Sequence, residues 1–185
     1  MLNTILELLF CKRGGFFRLE RDTLLIALCT LCFNGMNLGL FIQSTYPLDK
    51  YTLASTKVHG ITNEKAHEVG IPLQNALSEF VTSLNNSSLL VAHKMSFDEK
   101  VVGSELIRMN IENNLSSINK ICTMKNTTDF CQIPGPYGYK WPTLMELHQK
   151  LFNNTFDNAH DALSDVSACA KCFFELKNRG IIKHK

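Results

Sequence analysis

The stretch FDNAHDALSDVSACAKCFFEL, Phe156 to Leu176, decides how the rest of the chain is read. Ala162, Asp165, Ala168, Cys169, Cys172, Phe173 and Leu176 recur at intervals of three and four, which is one face of a helical period. The spacing predicts a helix that runs on to Asn178 and is closed by Gly180, with Asp165 on the stripe it buries. A buried carboxylate needs a partner or a metal, because an unpaired charge is too costly to hold away from water. His160 precedes Asp165 by five residues, roughly 500° of helical rotation, so the two do not share a face. His160 is therefore expected on the loop entering the helix, leaning back over Asp165, with Asp161 as the helix cap.

Upstream, Thr143 and Glu146 have the spacing of a capping box and open a helix to Phe152. The segment LLVAHKMSFDEKVVGSEL contains a short buried strand, Leu89 to Ala92, and then an amphipathic helix, Phe97 to Met109. Asp98 falls just after the strand, at the start of the helix. In open α/β sheets that junction is where ligands bind. The bland reading of Asp98 is a helix-start residue favoured by the dipole.

Pro72 starts another helix, with Leu73, Ala76, Leu77, Phe80, Val81 and Leu84 on one face. A shorter helix opens at His59-Gly60-Ile61 and stops at Gly70. Ile118 to Cys122 reads as a further short strand. Nearer the N-terminus, Thr23 to Phe33 reads as a strand that turns at Asn34-Gly35 into a second one, Leu38 to Thr45. A hairpin followed by alternating helices and strands predicts an α/β domain with a mixed sheet. No repeat, low-complexity tract or linker divides the 185 residues, so the chain is expected to form one domain, residues 1–185.

Composition narrows the function classes. Apolar residues make up 45% of the chain, yet no apolar run approaches the roughly 20 residues of a membrane span. Lys12 and Arg13 follow the first apolar piece, the wrong order for a signal peptide. Seven cysteines without a secretory pattern suggest free thiols and a cytoplasmic location. A net charge of +2 allows a nucleic-acid partner without indicating one. Two Cys-x-x-Cys pairs, Cys29/Cys32 and Cys169/Cys172, invite a zinc reading. The first lies in a strand-like run, where residues three apart face opposite ways, and the second lies on an apolar helical stripe. Cysteines acting as small hydrophobes account better for both. Trp141 is expected to pack against the helix that begins near Thr143.

The segment His160-Asp161-Ala162-Leu163-Ser164-Asp165 resembles the third motif, His-x-Ala-x-x-Asp, of the DEDDh family of 3′→5′ exonucleases. That family includes the DNA polymerase III epsilon subunit and ribonuclease T. Ala92-His93-Lys94-Met95-Ser96-Phe97-Asp98 is similar to its second motif, with Lys94 where Asn is usual. Lys57-Val58-His59-Gly60-Ile61-Thr62 resembles the segment before the first crossover helix. Cys122-Thr123-Met124-Lys125 and Tyr139-Lys140-Trp141-Pro142 look like further epsilon-type segments. The resemblance covers about Arg21 to Ile182, with its landmarks in order.

It implies a ribonuclease-H-like mixed β-sheet flanked by helices on both faces. It also implies metal-dependent hydrolysis at the 3′ ends of single-stranded DNA or RNA, with a DNA polymerase subunit as a conceivable partner. Asp98 and Asp165 would be metal ligands and His160 the general base, a role suited to an ordinary histidine pKa. His59 and Phe97 would contact the terminal nucleotide. Two Mg²⁺ or Mn²⁺ ions about 4 Å apart would stabilise the attacking and leaving oxygens. All three catalytic residues are expected at the C-terminal edge of the sheet.

The family's first motif, Asp-x-Glu-Thr-Thr-Gly, has no counterpart in MLNTILELLFCKRGGFFRLERD, the atypical residues 1–22. Glu7 offers one carboxylate there without the motif's neighbours. A truncated or frame-shifted start would explain this, as would loss of catalysis with retention of nucleic-acid or polymerase binding. The chain as written is expected to cleave weakly or not at all, because its two-metal site is incomplete.

Overall fold

The computed structural model describes residues 9–10, 16–19, 23–26, 73–156 and 162–183. Three short strands, β1 (Leu9–Phe10), β2 (Phe16–Leu19) and β3 (Thr23–Ile26), are followed by helix α1 (Leu73–Asn85) and strand β4 (Leu89–Ala92). Helix α2 (Met95–Arg108) leads to β5 (Asn119–Cys122) and two single-turn helices, α3 (Thr123–Asn126) and α4 (Thr128–Cys131). A small hairpin, β6 (Pro134–Gly135) and β7 (Gly138–Tyr139), precedes α5 (Leu144–Phe152) and α6 (Ala162–Asn178).

The main sheet has the order β1-β2-β3-β4-β5. β1 to β3 are antiparallel neighbours, whereas β3 to β5 run parallel. The expected mixed sheet is therefore present, but the pairing of its first hairpin differs. Thr23–Ile26 pairs with Phe16–Leu19 on one side, and Thr23–Leu25 pairs with Leu89–Val91 on the other. Both edges of β3 are thus taken over Thr23–Leu25. Residues 27–72, which hold that segment and the helix expected from His59 to Gly70, lie outside the described residues.

Alternation along β4 and β5 sorts the core into two clusters, because successive strand residues face opposite sides. Leu89, Val91 and Ile121 pack with Leu147 and Leu151 of α5 and with Val166, Cys169, Cys172, Phe173 and Leu176 of α6. Leu90, Ala92 and Cys122 pack with Leu77, Phe80, Val81 and Leu84 of α1 and with Met95 and Leu106 of α2. β4 is buried at all four positions, as a parallel strand covered on both faces must be.

The helical stripes follow the sequence periodicity. In α1, Ala76, Leu77, Phe80, Val81 and Leu84 are buried. α5 begins with the expected capping box. Glu146 N–H donates to Thr143 Oγ1 at 3.2 Å, and Thr143 N–H donates to Glu146 Oε2 at 2.8 Å. Gly180 follows α6 with φ +68°, a left-handed conformation that favours glycine after a helix. The guanidinium of Arg179, just past α6, donates to Glu175 of that helix and to the Leu151 carbonyl, tying the end of α6 to α5.

One expectation is corrected, and some elements were not expected. Trp141 does not pack against α5: it is 59% exposed. Packing is the common fate of an aromatic beside a helix start, but the start of α5 is satisfied by Thr143, Glu146 and Lys140 without it. The β6–β7 hairpin and the helices α3 and α4 carry no expected counterpart, because elements of two to four residues are too short to show a period.

Candidate active site

The parallel strands β3, β4 and β5 end on a common edge, and the residues that follow β4 and β5 meet there. His93 comes directly after β4 and Thr123 directly after β5. The His93 Nε2 lies 3.0 Å from the Pro142 carbonyl, which only accepts, so the ring proton resides on Nε2. His93 Nδ1 is then the acceptor for the Thr123 hydroxyl, 2.9 Å away. With its proton so used, Thr123 Oγ1 accepts from the Cys169 thiol, whose Sγ lies at 3.9 Å. The His93 carbonyl accepts from Met124 N–H and from the Cys122 thiol, both at 3.2 Å.

This chain joins β4, β5, the loop before α5 and the middle of α6. Burial holds the His93 pKa down to about 4 against the opposing pull of the Pro142 hydrogen bond, so the ring is neutral near pH 7. Cys169 stands out in the sequence as half of a Cys-x-x-Cys pair, and His93, Thr123 and Pro142 fall in the family-like segments, but nothing local shows that they join. The signal for the network itself is the position of His93 and Thr123 at the C-terminal ends of strands.

Asp98 lies in the first turn of α2 and is 1% exposed. Asp165 lies in the first turn of α6 and is 6% exposed. Burial, foremost, and then the neighbouring Cys172 push the Cys169 thiol far up; the charge of Asp98 adds to the shift. Cys169 sits four residues after Asp165, one turn along the same face of α6. The start of α2 and the second turn of α6 are therefore electrostatic neighbours. Phe97, half-buried beside Asp98, has Lys94 Nζ 5.1 Å from its ring centroid. His59 and His160 lie outside the described residues, as does Asp161.

The segment leading toward residue 157 is anchored. His148 Nδ1 donates to the Asn154 carbonyl at 3.0 Å, and its ring packs between Phe152 and Phe156 at centroid distances of 4.7 and 5.2 Å.

The donor chemistry at this edge suits a hard divalent cation. Asp98 and Asp165 offer carboxylate oxygens, the donors Mg²⁺ and Mn²⁺ prefer. The thiols of Cys169 and Cys172 offer no soft alternative: both are fully buried core residues, and burial pushes the Cys172 thiol up to about 12. Among the described residues, no group of three or more His, Cys, Asp or Glu side chains is placed to hold a metal ion. Cys29 and Cys32 lie outside those residues.

The family model described as Exonuclease (RNase_T) matches residues 41–173, well over half of the chain. The chain belongs to this exonuclease family, which implies a ribonuclease-H-like α/β fold, a nucleic-acid substrate and divalent metal ions as the usual cofactors. No curated protein matches the chain. Among the described residues, no helix is long and apolar enough to cross a membrane.

Proposed function

We propose that the chain is a 3′→5′ exonuclease-type domain of the DEDDh, epsilon-like class, acting on 3′ ends of single-stranded DNA or RNA. The observation that carries this reading is the pair of buried carboxylates in the first turns of α2 and α6, with Asp98 close enough to Cys169 of α6 to act on its thiol. Carboxylate oxygens are the donors that Mg²⁺ and Mn²⁺ prefer, and buried acids gather at functional sites.

In this reading Asp98 and Asp165 hold Mg²⁺ or Mn²⁺. The chemistry such ions would supply is stabilisation of the charge that develops during phosphodiester hydrolysis. His160 takes the proton of the attacking water, and Phe97 and His59 position the terminal nucleotide. The His93–Thr123–Cys169 chain is not a proton path. It fixes α6 and the α5 entry against the strand ends.

Activity of this chain is weak, because residues 1–22 carry no Asp-x-Glu motif and two carboxylates supply only part of a two-ion shell. The family match starting at residue 41, beyond β1 to β3, supports an atypical N-terminal segment. A binding module that has lost hydrolysis is the second reading, favoured by the same missing motif.

A 5′-labelled single strand incubated with Mg²⁺ or Mn²⁺ tests the proposal. The expected result is slow shortening from the 3′ end at high Mn²⁺, abolished by Asp165→Asn and by His160→Ala. Oligonucleotide binding without any Mn²⁺-dependent shortening would favour the binding module. Robust Mg²⁺-dependent cleavage lost in both variants would overturn the incomplete-site argument and make Glu7 the next residue to replace.

A further inference from the structure

We propose that the β6–β7 hairpin, Trp141 and Lys125 form a stacking platform for single-stranded nucleic acid, receiving nucleotides that precede the terminal one. The inference rests on the reading of the chain as a domain that binds nucleic-acid 3′ ends. Three large aromatic side chains stand in solvent within five residues: Tyr137 fully, Tyr139 at 51% and Trp141 at 59% exposure. An exposed cluster of this kind asks for an occupant, whereas single exposed apolar residues do not.

The cluster is held outward by fixed backbone. Lys140 N–H donates to the Ile133 carbonyl at 2.9 Å, closing the hairpin. Gly138 takes φ +119°, which a side-chain-bearing residue rarely adopts. Trp141 is flanked by Lys140, whose ammonium pairs with Glu146, and by Pro142, whose carbonyl is held by His93. Trp141 is thus presented by neighbours fixed on both sides, so little ordering remains to be done on binding.

Position and charge select the occupant. The Pro142–His93 bond puts Trp141 at the C-terminal edge of the parallel strands, beside the helix that carries Asp98. Lys125, one turn from the end of β5, places its Nζ 5.9 Å from the Trp141 ring centroid. Among the described residues, neither Lys94 nor Lys125 has a carboxylate within salt-bridge distance. Aromatic faces interleaved with lysines, on a chain of net charge only +2, match alternating bases and phosphates better than an apolar protein surface.

Trp141 is the single tryptophan, so its emission reports on the platform directly. The full chain in EDTA is titrated with an oligothymidylate of roughly twelve nucleotides, within the usual site size for one domain. A 5′-fluorescein copy of the strand gives the affinity by anisotropy. The expected result is saturable quenching that follows the anisotropy curve, with a dinucleotide binding without quenching. Trp141→Ala should weaken binding about tenfold, and Trp141→Phe should recover most of it. Undiminished affinity in Trp141→Ala, with no quenching in the parent chain, would overturn the platform and leave the 3′-end reading standing. No anisotropy change at any concentration would remove both. A sedimentation shift caused by Trp141→Ala, with oligonucleotide affinity unchanged, would make the patch a protein contact and overturn the proposal.

Discussion

Helices α2 and α5 each begin beside the sheet edge with an acidic residue in the first turn, and the two acids are used in opposite ways. Glu146 closes a capping box. Burial works against its ionisation, but hydrogen bonds from Lys140 and Thr143 more than offset this and hold its pKa below the usual carboxylate value. Asp98 is buried at the start of α2, whose N-cap residue, Lys94, makes no side-chain cap bond. One start is optimised locally. The other gives up its cap and buries a charge. His93 ties them together, because it precedes α2 and hydrogen-bonds the residue before the α5 cap.

The largest effect separating the two starts should come from His93 itself. Its folded pKa of about 4 lies below the ordinary 6.5, so the unfolded chain takes up the proton first as pH falls. Its contribution is fully present above pH 6.5 and is lost between there and about pH 4, an effect of about 3 kcal/mol at most. Urea unfolding across that range should show the loss, and His93→Phe should flatten this part of the profile. A parent profile without that slope would mean that the ring is not held neutral.

Metal should distinguish the two acids next. At a hundredfold excess over its Kd, Mn²⁺ should stabilise the chain by about 2.7 kcal/mol, or raise the midpoint by about 5–10 °C. Asp98→Asn and Asp165→Asn should each remove most of this rise, whereas Thr143→Ala should leave it intact. Equal responses in all four proteins would place the ion elsewhere.

The smallest effect concerns the cap. Thr143→Ala should lower stability by about 1 kcal/mol in metal-free buffer, read by thermal or urea unfolding. A change much larger than this would show that α5 depends on its start more heavily than an ordinary helix does.

The same contrast explains what the sequence revealed. Thr143 and Glu146 are three residues apart and satisfy each other, so the box is visible in a short window. The stripe of α1, the strand Leu89–Ala92 and the burial of Asp165 on the apolar face of α6 are periodic and equally visible. The partners of His93 lie 30 and 49 residues away in sequence, and no local pattern announces them. An Asn-Gly turn is a strong local signal, whereas the partners of Thr23–Ile26 are Phe16–Leu19 and β4, the latter distant in sequence. The exposure of Trp141 escaped for a related reason: composition says that a tryptophan tends to pack, and only the hairpin geometry shows that this one does not.

The parallel pairing of β3 with β4 also bears on how the chain reaches its native state. Thr23 pairs with Leu89, a separation of 66 residues, whereas Leu89 pairs with Asn119, a separation of 30. Closing the longer loop is the slower event, so β4, β5 and their helices should assemble before β3 arrives. During that interval Leu89-Leu90-Val91-Ala92 is an open edge of unpaired amides with four apolar side chains and no charge among them. Such an edge invites pairing with another chain. A nascent molecule of this protein is therefore most prone to aggregate while β4 is still waiting for its second neighbour.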